Sequence, residues 1–282
     1  MFPSFTIFGK EIGTYMLCSV VGALFAGLIV HMLARDRDDV RKDQLLHIAI
    51  AAGGGLFVGA HLLFGLTNMP KIIWIFKHFS VFTYSFDTAI YFLQDIFGGM
   101  VFYGGLFGGI IGGLLYIRSL KLDKWAHIDL FAPAIPAMHA FGRIGCFLSG
   151  CCYGIESDFG FVYHHSAVPA ADGVRRFPVQ LLECIVNLCI VLIMVILIKR
   201  GLGRKKPVFV YGVMYSVARF LLEFLRGDKI RGIYFGLSTS QWISIVFFTV
   251  SVIALVKLNA KGDKLGKEAE KNTAELSVEA TV

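Results

Sequence analysis

The hydrophobic positions of this chain fall into long apolar stretches, separated by short polar and often basic segments. Seven stretches predict membrane-spanning helices, at about residues 14–33, 46–66, 91–117, 127–141, 183–198, 208–225 and 240–257. A helix needs about 20 apolar residues to cross a hydrocarbon core about 30 Å thick. The pattern predicts an all-α polytopic membrane protein, with one transmembrane domain over residues 1–258 and a polar, disordered cytoplasmic tail over residues 259–282.

Composition and charge support this fold class. Of the 282 residues, 56% are hydrophobic and 17% are charged, whereas soluble domains carry about 25% charged residues. The net charge of +7 does not indicate nucleic-acid binding, because the basic residues concentrate in alternate connections, at residues 35–42, 118–124 and 199–206, and in the tail. Cytoplasmic loops carry such an excess of Lys and Arg. We therefore predict an N-terminus outside the cell and a cytoplasmic C-terminus.

Paired glycines interrupt the third stretch, where residues 98–113 read GGMVFYGGLFGGIIGG. Small residues let transmembrane helices approach closely, so the pairs predict tight helix packing. A second interpretation is that the close approach also shapes a cavity beside Tyr103. The length of this stretch also favours an interfacial or re-entrant entry near Phe86 to Asp95.

Ionisable residues inside predicted spans form two clusters. His139 and Arg143, at the outer end of the fourth span, are four residues apart and share a helix face. Arg219, Glu223 and Arg226 share a face of the sixth span. Charged residues in membrane segments mark a site or a partner. One interpretation is a structural ion pair of Arg219 with Glu223. The other is a surplus of positive charge for an anion such as a lipid phosphate, which guanidinium groups bind well.

The segment RFPVQLLE, residues 176–183, predicts a helix that begins near Pro178. Glu183 is explained by a favourable position near the positive end of the helix dipole. Gln180 fits the same explanation, or it points into a polar cavity.

Four ordered segments resemble the motifs of one enzyme family. They are YGGLFGG (103–109), HAFGRIGCFLSGCCYG (139–154), RFPVQLLE (176–183) and RFLLEFLR (219–226), the last followed by GLSTSQWISI (236–245). Together they resemble the prolipoprotein diacylglyceryl transferases, over nearly the whole chain. The resemblance implies a seven-helix bundle in the bacterial inner membrane, with an outward-facing active site. It implies transfer of the diacylglyceryl group of phosphatidylglycerol to the lipobox cysteine of prolipoproteins, with a thioether formed and glycerol phosphate released. No metal or diffusible cofactor is expected.

The resemblance also implies which residues act. Arginines would stabilise the charge that develops on the departing phosphate, and the acceptor thiol needs a base or a positive field to ionise. Glu223 would orient Arg219 or take part in proton removal. The predicted catalytic residues are Tyr103, His139, Arg143, Arg219 and Glu223. The predicted phosphatidylglycerol-binding residues are Arg143, Arg219, Arg226, Gly104, Gly105, Gly142, Gly145, Cys146 and Gln180.

Three positions depart from the family motifs. Tyr103 stands in place of a histidine, Cys146 in place of an asparagine and Cys151 in place of a glutamate. Tyrosine, with a pKa near 10, is a poor base at neutral pH, so the base stays open between His139 and Glu223, with Tyr103 as a hydrogen-bond donor. The alternative function is that of a divergent paralogue that modifies another acceptor, or of a non-catalytic lipid-binding protein. A channel is less favoured, because the charged residues cluster near one membrane face.

Cys146, Cys151 and Cys152 lie in one predicted outward-facing turn. Three interpretations stay open: packing residues, a disulfide in an oxidising exterior, or metal ligands together with His164 and His165. No paired CxxC spacing supports the metal. Cys18, Cys184 and Cys189 lie within spans and are expected to be small apolar fillers.

Overall fold

The computed structural model of the protein describes residues 1–7, 9–228 and 232–279. The described part is mostly helical. The helices are α1 (Thr14–Ala34), α2 (Leu45–Thr67), α3 (Met69–Lys77), α4 (Phe79–Phe82), α5 (Phe86–Phe97), α6 (Phe102–Ser119), α7 (Lys124–Phe131), α8 (Ala134–Ser149), α9 (Val179–Lys199), α10 (Lys206–Leu222) and α11 (Thr239–Glu279). The strands are β1 (Ser4–Ile7), β2 (Lys10–Gly13), β3 (Glu156–Val162), β4 (Arg175–Arg176), β5 (Ile233–Tyr234) and β6 (Leu237–Ser238), which pair antiparallel as β1–β2, β3–β4 and β5–β6.

Within the described residues, five helical segments are long and apolar enough to cross a membrane. They are Thr14–Ala34, Lys42–Thr67, Val179–Lys199, Lys206–Leu225 and Thr239–Ala260. These segments correspond to the first, second, fifth, sixth and seventh predicted spans. The prediction of a helical membrane protein is confirmed, whereas the number of seven spans stays a prediction.

The third predicted span, 91–117, is wrong as a continuous helix, because α5 and α6 are separate. Gly98 ends α5, and the chain crosses to α6 through a short extended segment. Two hydrogen bonds to α2 stabilise this break. The backbone N–H of Val101 donates to the carbonyl of Ala60 at 3.1 Å, and His61 Nδ1 lies 2.6 Å from the carbonyl oxygen of Phe97.

The fourth predicted span, 127–141, is also divided, between α7 and α8. Pro133 lies between them. Since proline has no N–H to donate, it cannot continue the hydrogen bonds of α7. Helix α8 then runs on to Ser149, so Arg143 lies inside a helix. The sequence-based prediction that Arg143 lies at the outer end of a span is therefore wrong.

Contacts along the chain divide it into two compact units, residues 37–127 and residues 1–36 with 128–282. In unit 37–127, α2 packs on α6 through glycines on both helices. A Cβ atom at Gly55 would clash with the carbonyl oxygen of Gly108, and one at Gly59 would clash with that of Gly104. A Cβ atom at Gly108 or Gly104 would clash in the same way with the carbonyl oxygen of its partner on α2. The packing interpretation of the glycine pairs is confirmed.

In the other unit, α1 packs on α8, α9 contacts both α8 and α10, and α11 packs on α10. Ala132, Ile190, Met194 and Tyr211 form a buried apolar cluster there. The backbone of α11 continues as helix to Glu279, through most of the segment for which the sequence predicts a disordered tail. Residues 280–282 of that predicted tail lie outside the described residues. The division of the chain at residue 258 stays a prediction.

Candidate active site

A buried ion pair connects α8 to α9. Arg143 Nη2 lies 2.8 Å from Glu183 Oε2, and the two side chains are only 7% and 3% exposed. His139 Nε2 lies 3.4 Å from the other oxygen of the same carboxylate, Oε1. The prediction that His139 and Arg143 share a helix face is therefore confirmed. The explanation of Glu183 by the helix dipole is wrong, because its side chain lies beyond the first turn of α9 and binds α8 instead.

A second set of charges lies at the end of α10. Arg219 Nη2 is 2.6 Å from Glu223 Oε2 and 3.0 Å from Ser240 Oγ. Arg226 binds both carboxylate oxygens of Asp228, at 2.9 and 2.6 Å, and lies 3.9 Å from Glu223. The predicted surplus of positive charge on this stripe is not observed, because Asp228, which follows the end of the predicted span, neutralises Arg226.

Two guanidinium nitrogens of this site have neither a hydrogen-bond acceptor nor an ion-pair partner among the described residues. They are Nε of Arg143 and Nη1 of Arg219, and both atoms are buried. A buried donor without an acceptor costs about 1–3 kcal/mol, and more when it is charged. These donors can therefore bind an additional anionic oxygen, such as that of a phosphate.

Helix α8 ends in a turn that brings three cysteines together. Gly150 adopts the left-handed conformation, with φ of 76°, and the N–H of Cys151 donates back to the carbonyl of Cys146 at 3.1 Å. This backward bond is typical of a helix that ends at glycine. As a result, the Sγ atoms of Cys146, Cys151 and Cys152 lie within 4.8 Å of one another. Arg143 Nη1 is 3.6 Å from Cys146 Sγ.

All three thiols of this turn are free, so the disulfide interpretation is not supported. Hydrogen bonds from the thiols of Cys146 and Cys151 lower the pKa of Cys152. The predicted additional ligands, His164 and His165, are not part of the cluster.

Gln180 stabilises the cysteine turn from α9. Its fully buried amide donates to the carbonyl of Cys151 at 2.8 Å and lies 3.1 Å from the Tyr163 hydroxyl. Burial raises the pKa of Tyr163, so its hydroxyl keeps the proton that it donates to Gln180. The alternative that Gln180 points into a polar cavity is wrong, because both hydrogen-bonding ends of its amide are engaged inside the protein.

Backbone contacts connect the cysteine turn to the arginines of α10. The N–H of Ile155 donates to the carbonyl of Leu225, and the N–H of Gly227 donates to the carbonyl of Tyr153, both at 3.0 Å. The segments 139–154, 176–183 and 219–226 therefore meet in one unit.

The predicted binding glycines are explained largely by helix packing. A Cβ atom on Gly145 would lie 3.0 Å from Tyr15 Cδ2 of α1, which is a tight contact, whereas Gly142 has more room, at 3.7 Å from the same side chain. Gly104 and Gly105 of α6 face α2. Tyr103 lies in the first turn of α6, in unit 37–127, with 44% of its side chain exposed.

Comparisons with known proteins assign the family. The profile of the prolipoprotein diacylglyceryl transferases matches residues 3–257. This chain belongs to the prolipoprotein diacylglyceryl transferase family. It is 30% identical over 250 residues to a phosphatidylglycerol–prolipoprotein diacylglyceryl transferase of Clostridium tetani, covering 88% of this chain and 93% of the relative. It is 31% identical over 264 residues to transferase 2 of Clostridium perfringens (92% and 95%), and 27% identical over 263 residues to the transferase of Campylobacter jejuni (92% and 93%).

In this member of the transferase family, the sequence did not identify Glu183 and Asp228 as candidate functional residues. Glu183 ends the RFPVQLLE segment on which the resemblance rests, so the resemblance itself was a signal for its importance. Asp228 gave no such signal, because it lies beyond the matching segment and becomes a partner of Arg226 only when the chain turns after α10.

Proposed function

We propose that this protein transfers the diacylglyceryl group of phosphatidylglycerol to the cysteine thiol of lipobox-containing prolipoproteins. The observation that carries the proposal is the family match over residues 3–257, together with relatives named for this reaction that cover about nine-tenths of the chain. The buried arginines support it, because Arg143 and Arg219 retain unused donors for a phosphate group.

In the proposed reaction, the acceptor sulfur forms a bond with the glyceryl carbon that carries the phosphate ester. The bond between this carbon and the phosphate oxygen breaks, and its electron pair leaves with glycerol phosphate. The thiol proton passes to a base and then to water. Negative charge develops on the departing phosphate, so Arg143 and Arg219 would act by stabilising it; the loss of one such donor typically costs about 3–4 kcal/mol.

Proton removal is proposed for the His139–Glu183 pair. The His139 side chain is 29% exposed, and Nε2 points to the Glu183 carboxylate. If Nε2 carries a proton toward this carboxylate, Nδ1 is left as a proton acceptor. Glu223, 2.6 Å from Arg219, would orient that guanidinium. Tyr103 would act as a hydrogen-bond donor that positions substrate.

The apolar helices and the family indicate a multi-pass protein of the bacterial inner membrane. We propose that the site lies on the outer side of that membrane, because an excess of Lys and Arg is typical of cytoplasmic connections and residues 35–42, 118–124 and 199–206 carry that excess. Phosphatidylglycerol would reach the site from the bilayer, and the prolipoprotein would reach it after export.

The second candidate is a paralogue that binds phospholipid and modifies another acceptor, or none. The replacement of family residues by Tyr103, Cys146 and Cys151 favours it. Complementation separates the two candidates: a bacterial host is depleted of its own transferase and supplied with this chain. We expect growth and lipid-modified lipoproteins with the native sequence, and neither with Arg143→Ala at equal membrane abundance. Absence of rescue by a properly inserted native chain would favour the second candidate.

A further inference from the structure

The cysteine turn places three thiols close to the spacing of metal ligands. Three Sγ atoms from Cys146, Cys151 and Cys152 converge within 4.8 Å of one another. A tetrahedral Zn²⁺ ion with bonds of about 2.3 Å to sulfur places its thiolates about 3.8 Å apart. The three thiols therefore need to move by only a small distance to share one ion.

The turn also carries backbone features that hold the thiols in place. Cys152 has φ of 54°, in the left-handed region that non-glycine residues rarely adopt. Such a conformation costs about 1–3 kcal/mol and persists only where the surrounding structure imposes it. Gln180 fixes the carbonyl of Cys151 from α9. Both features restrict the backbone of the turn and so favour a fixed arrangement of its thiols.

The charges around the turn suit a cluster of thiolates. Arg143 Nη1 lies 3.6 Å from Cys146 Sγ, and Arg226 interacts with the thiol of Cys152. Three thiolates and one divalent cation carry a net charge of −1, and the two guanidinium groups beside the turn, although each is also paired with a carboxylate, can donate hydrogen bonds to the thiolates. Among the described residues, no fourth His, Cys, Asp or Glu ligand atom joins the cluster. Cys151 and Cys152 are only partly buried, so a ligand from outside has access.

We propose that Cys146, Cys151 and Cys152 bind one thiophilic divalent cation of the zinc class, with the fourth position open to the thiol of the acceptor cysteine. Three protein ligands and one open position are typical of catalytic zinc sites, and a thiol that binds such an ion loses its proton. The proposal revises the expectation that no metal takes part: the ion would make the acceptor thiol more acidic, and the His139–Glu183 pair would receive its proton. Only the identity of the fourth ligand rests on the proposed function.

The metal site is tested with Co²⁺ as a spectroscopic substitute for Zn²⁺. The full-length protein is purified in detergent under anaerobic, reducing and metal-free conditions, and Co²⁺ is titrated in. We expect one ion per chain and a sulfur-to-cobalt charge-transfer band. Cys151→Ser or Cys152→Ser should weaken binding by at least about tenfold, since even outer-shell changes at metal sites cost about 10–100-fold. Cys189→Ser, an exposed cysteine of α9, is the matched control and should change nothing.

Binding without the charge-transfer band, or binding unaffected by Cys151→Ser, would overturn the metal site. So would a disulfide between two of the three cysteines in protein isolated without reductant. The fourth ligand is tested by adding a lipobox peptide with its cysteine, or with serine in its place, to the Co²⁺-loaded protein. Only the cysteine peptide should change the cobalt spectrum, and equal spectra would overturn the acceptor's part.

The same preparation separates this inference from the proposed function. Transfer at an undiminished rate by metal-free protein would overturn a role of the metal in the reaction and leave the proposed function standing. A Zn²⁺-loaded protein that shows the three-thiolate signature but transfers nothing from phosphatidylglycerol would overturn the proposed function and leave the metal site standing.

Discussion

The Arg143 guanidinium and the Glu183 carboxylate form a buried ion pair 2.8 Å long between α8 and α9. The same carboxylate lies 3.4 Å from His139, so one acidic side chain contacts two predicted catalytic residues. Removal of one partner of a buried pair leaves an uncompensated charge. The position of Arg143 in the site therefore depends on Glu183.

Glu183→Gln is expected to destabilise the protein by about 3–5 kcal/mol, the usual cost of breaking a buried pair, and to lower transfer activity. Thermal unfolding in detergent and a transfer assay check both effects. Glu156→Gln is the matched control. Glu156 is 72% exposed and 3.9 Å from Arg176, and a surface pair contributes at most about 1 kcal/mol. Equal unfolding temperatures for the two variants would contradict a structural role of the Glu183 pair.

Gly55→Ala should disrupt the packing of α2 on α6, because the new Cβ would clash with the backbone carbonyl of Gly108. Because the clash involves backbone atoms of both helices, it can be relieved only if α2 and α6 move apart. Gly54→Ala, one position earlier in the same helix, meets no atom within 4 Å. It should be neutral or stabilising by up to about 1 kcal/mol, the difference in helix propensity. The yield of monodisperse protein and its unfolding temperature distinguish the two variants, and similar behaviour would argue against the glycine contact.

Most of the helical fold could be predicted from the sequence, and the failures have physical causes. Hydropathy identified the spans of α1, α2, α9, α10 and α11. It did not find the breaks before α6 and α8, because both lie in apolar sequence. The first depends on hydrogen bonds to α2, and the second on the single proline Pro133. The sequence pattern therefore merged short helices into single spans.

The candidate site was predictable where its residues share one helix. The Arg219–Glu223 pair and the shared face of His139 and Arg143 follow from helical spacing. The bond of Glu183 joins α9 to α8, so spacing along the chain carries no information about it. Asp228 is only two residues from Arg226, but helical spacing does not indicate their bond, because it forms where the helix has ended. The cysteine cluster was recognised as one turn, but the convergence of its thiols depends on the left-handed Gly150 that ends α8.

Tyr103→Phe should lose nearly all transfer activity and Tyr103→His should retain it, if the site uses a hydrogen-bond donor at this position. Phenylalanine removes one hydroxyl and keeps the ring, so packing alone would tolerate it. Initial rates with purified variants check this, with Tyr91→Phe as the control for another exposed tyrosine of the same unit. Full activity of Tyr103→Phe would assign the residue to packing. A pH–rate profile unchanged by His139→Gln would then rule out His139 as the base.

Reporter fusions test the orientation in the membrane. The basic connection at residues 199–206 should be cytoplasmic, so a fusion at Lys205 should report from inside the cell. A fusion at His165, which follows β3 in the connection between α8 and α9, should report from outside. The reverse pattern would place the candidate site on the cytoplasmic side and contradict its access to exported proteins.

Arg143→Ala and Arg219→Ala should each lower the transfer rate by about 10²–10³-fold, because in the proposed reaction each removes a donor that would stabilise the departing phosphate. Lysine at either position should restore activity only in part, since a single ammonium cannot reproduce a planar guanidinium. Arg175→Ala removes an exposed arginine of β4 and should leave the rate unchanged. Equal rates for Arg175→Ala and Arg143→Ala would place the phosphate site elsewhere.

The most direct measurement is the mass of a lipobox peptide after incubation with the purified protein in liposomes that contain phosphatidylglycerol. We predict a mass increase equal to one diacylglyceryl group on the cysteine, release of glycerol phosphate in equal amount, and no increase on a peptide with serine in place of cysteine. An unmodified cysteine peptide, with folded protein and phosphatidylglycerol both present, would contradict the proposed transfer.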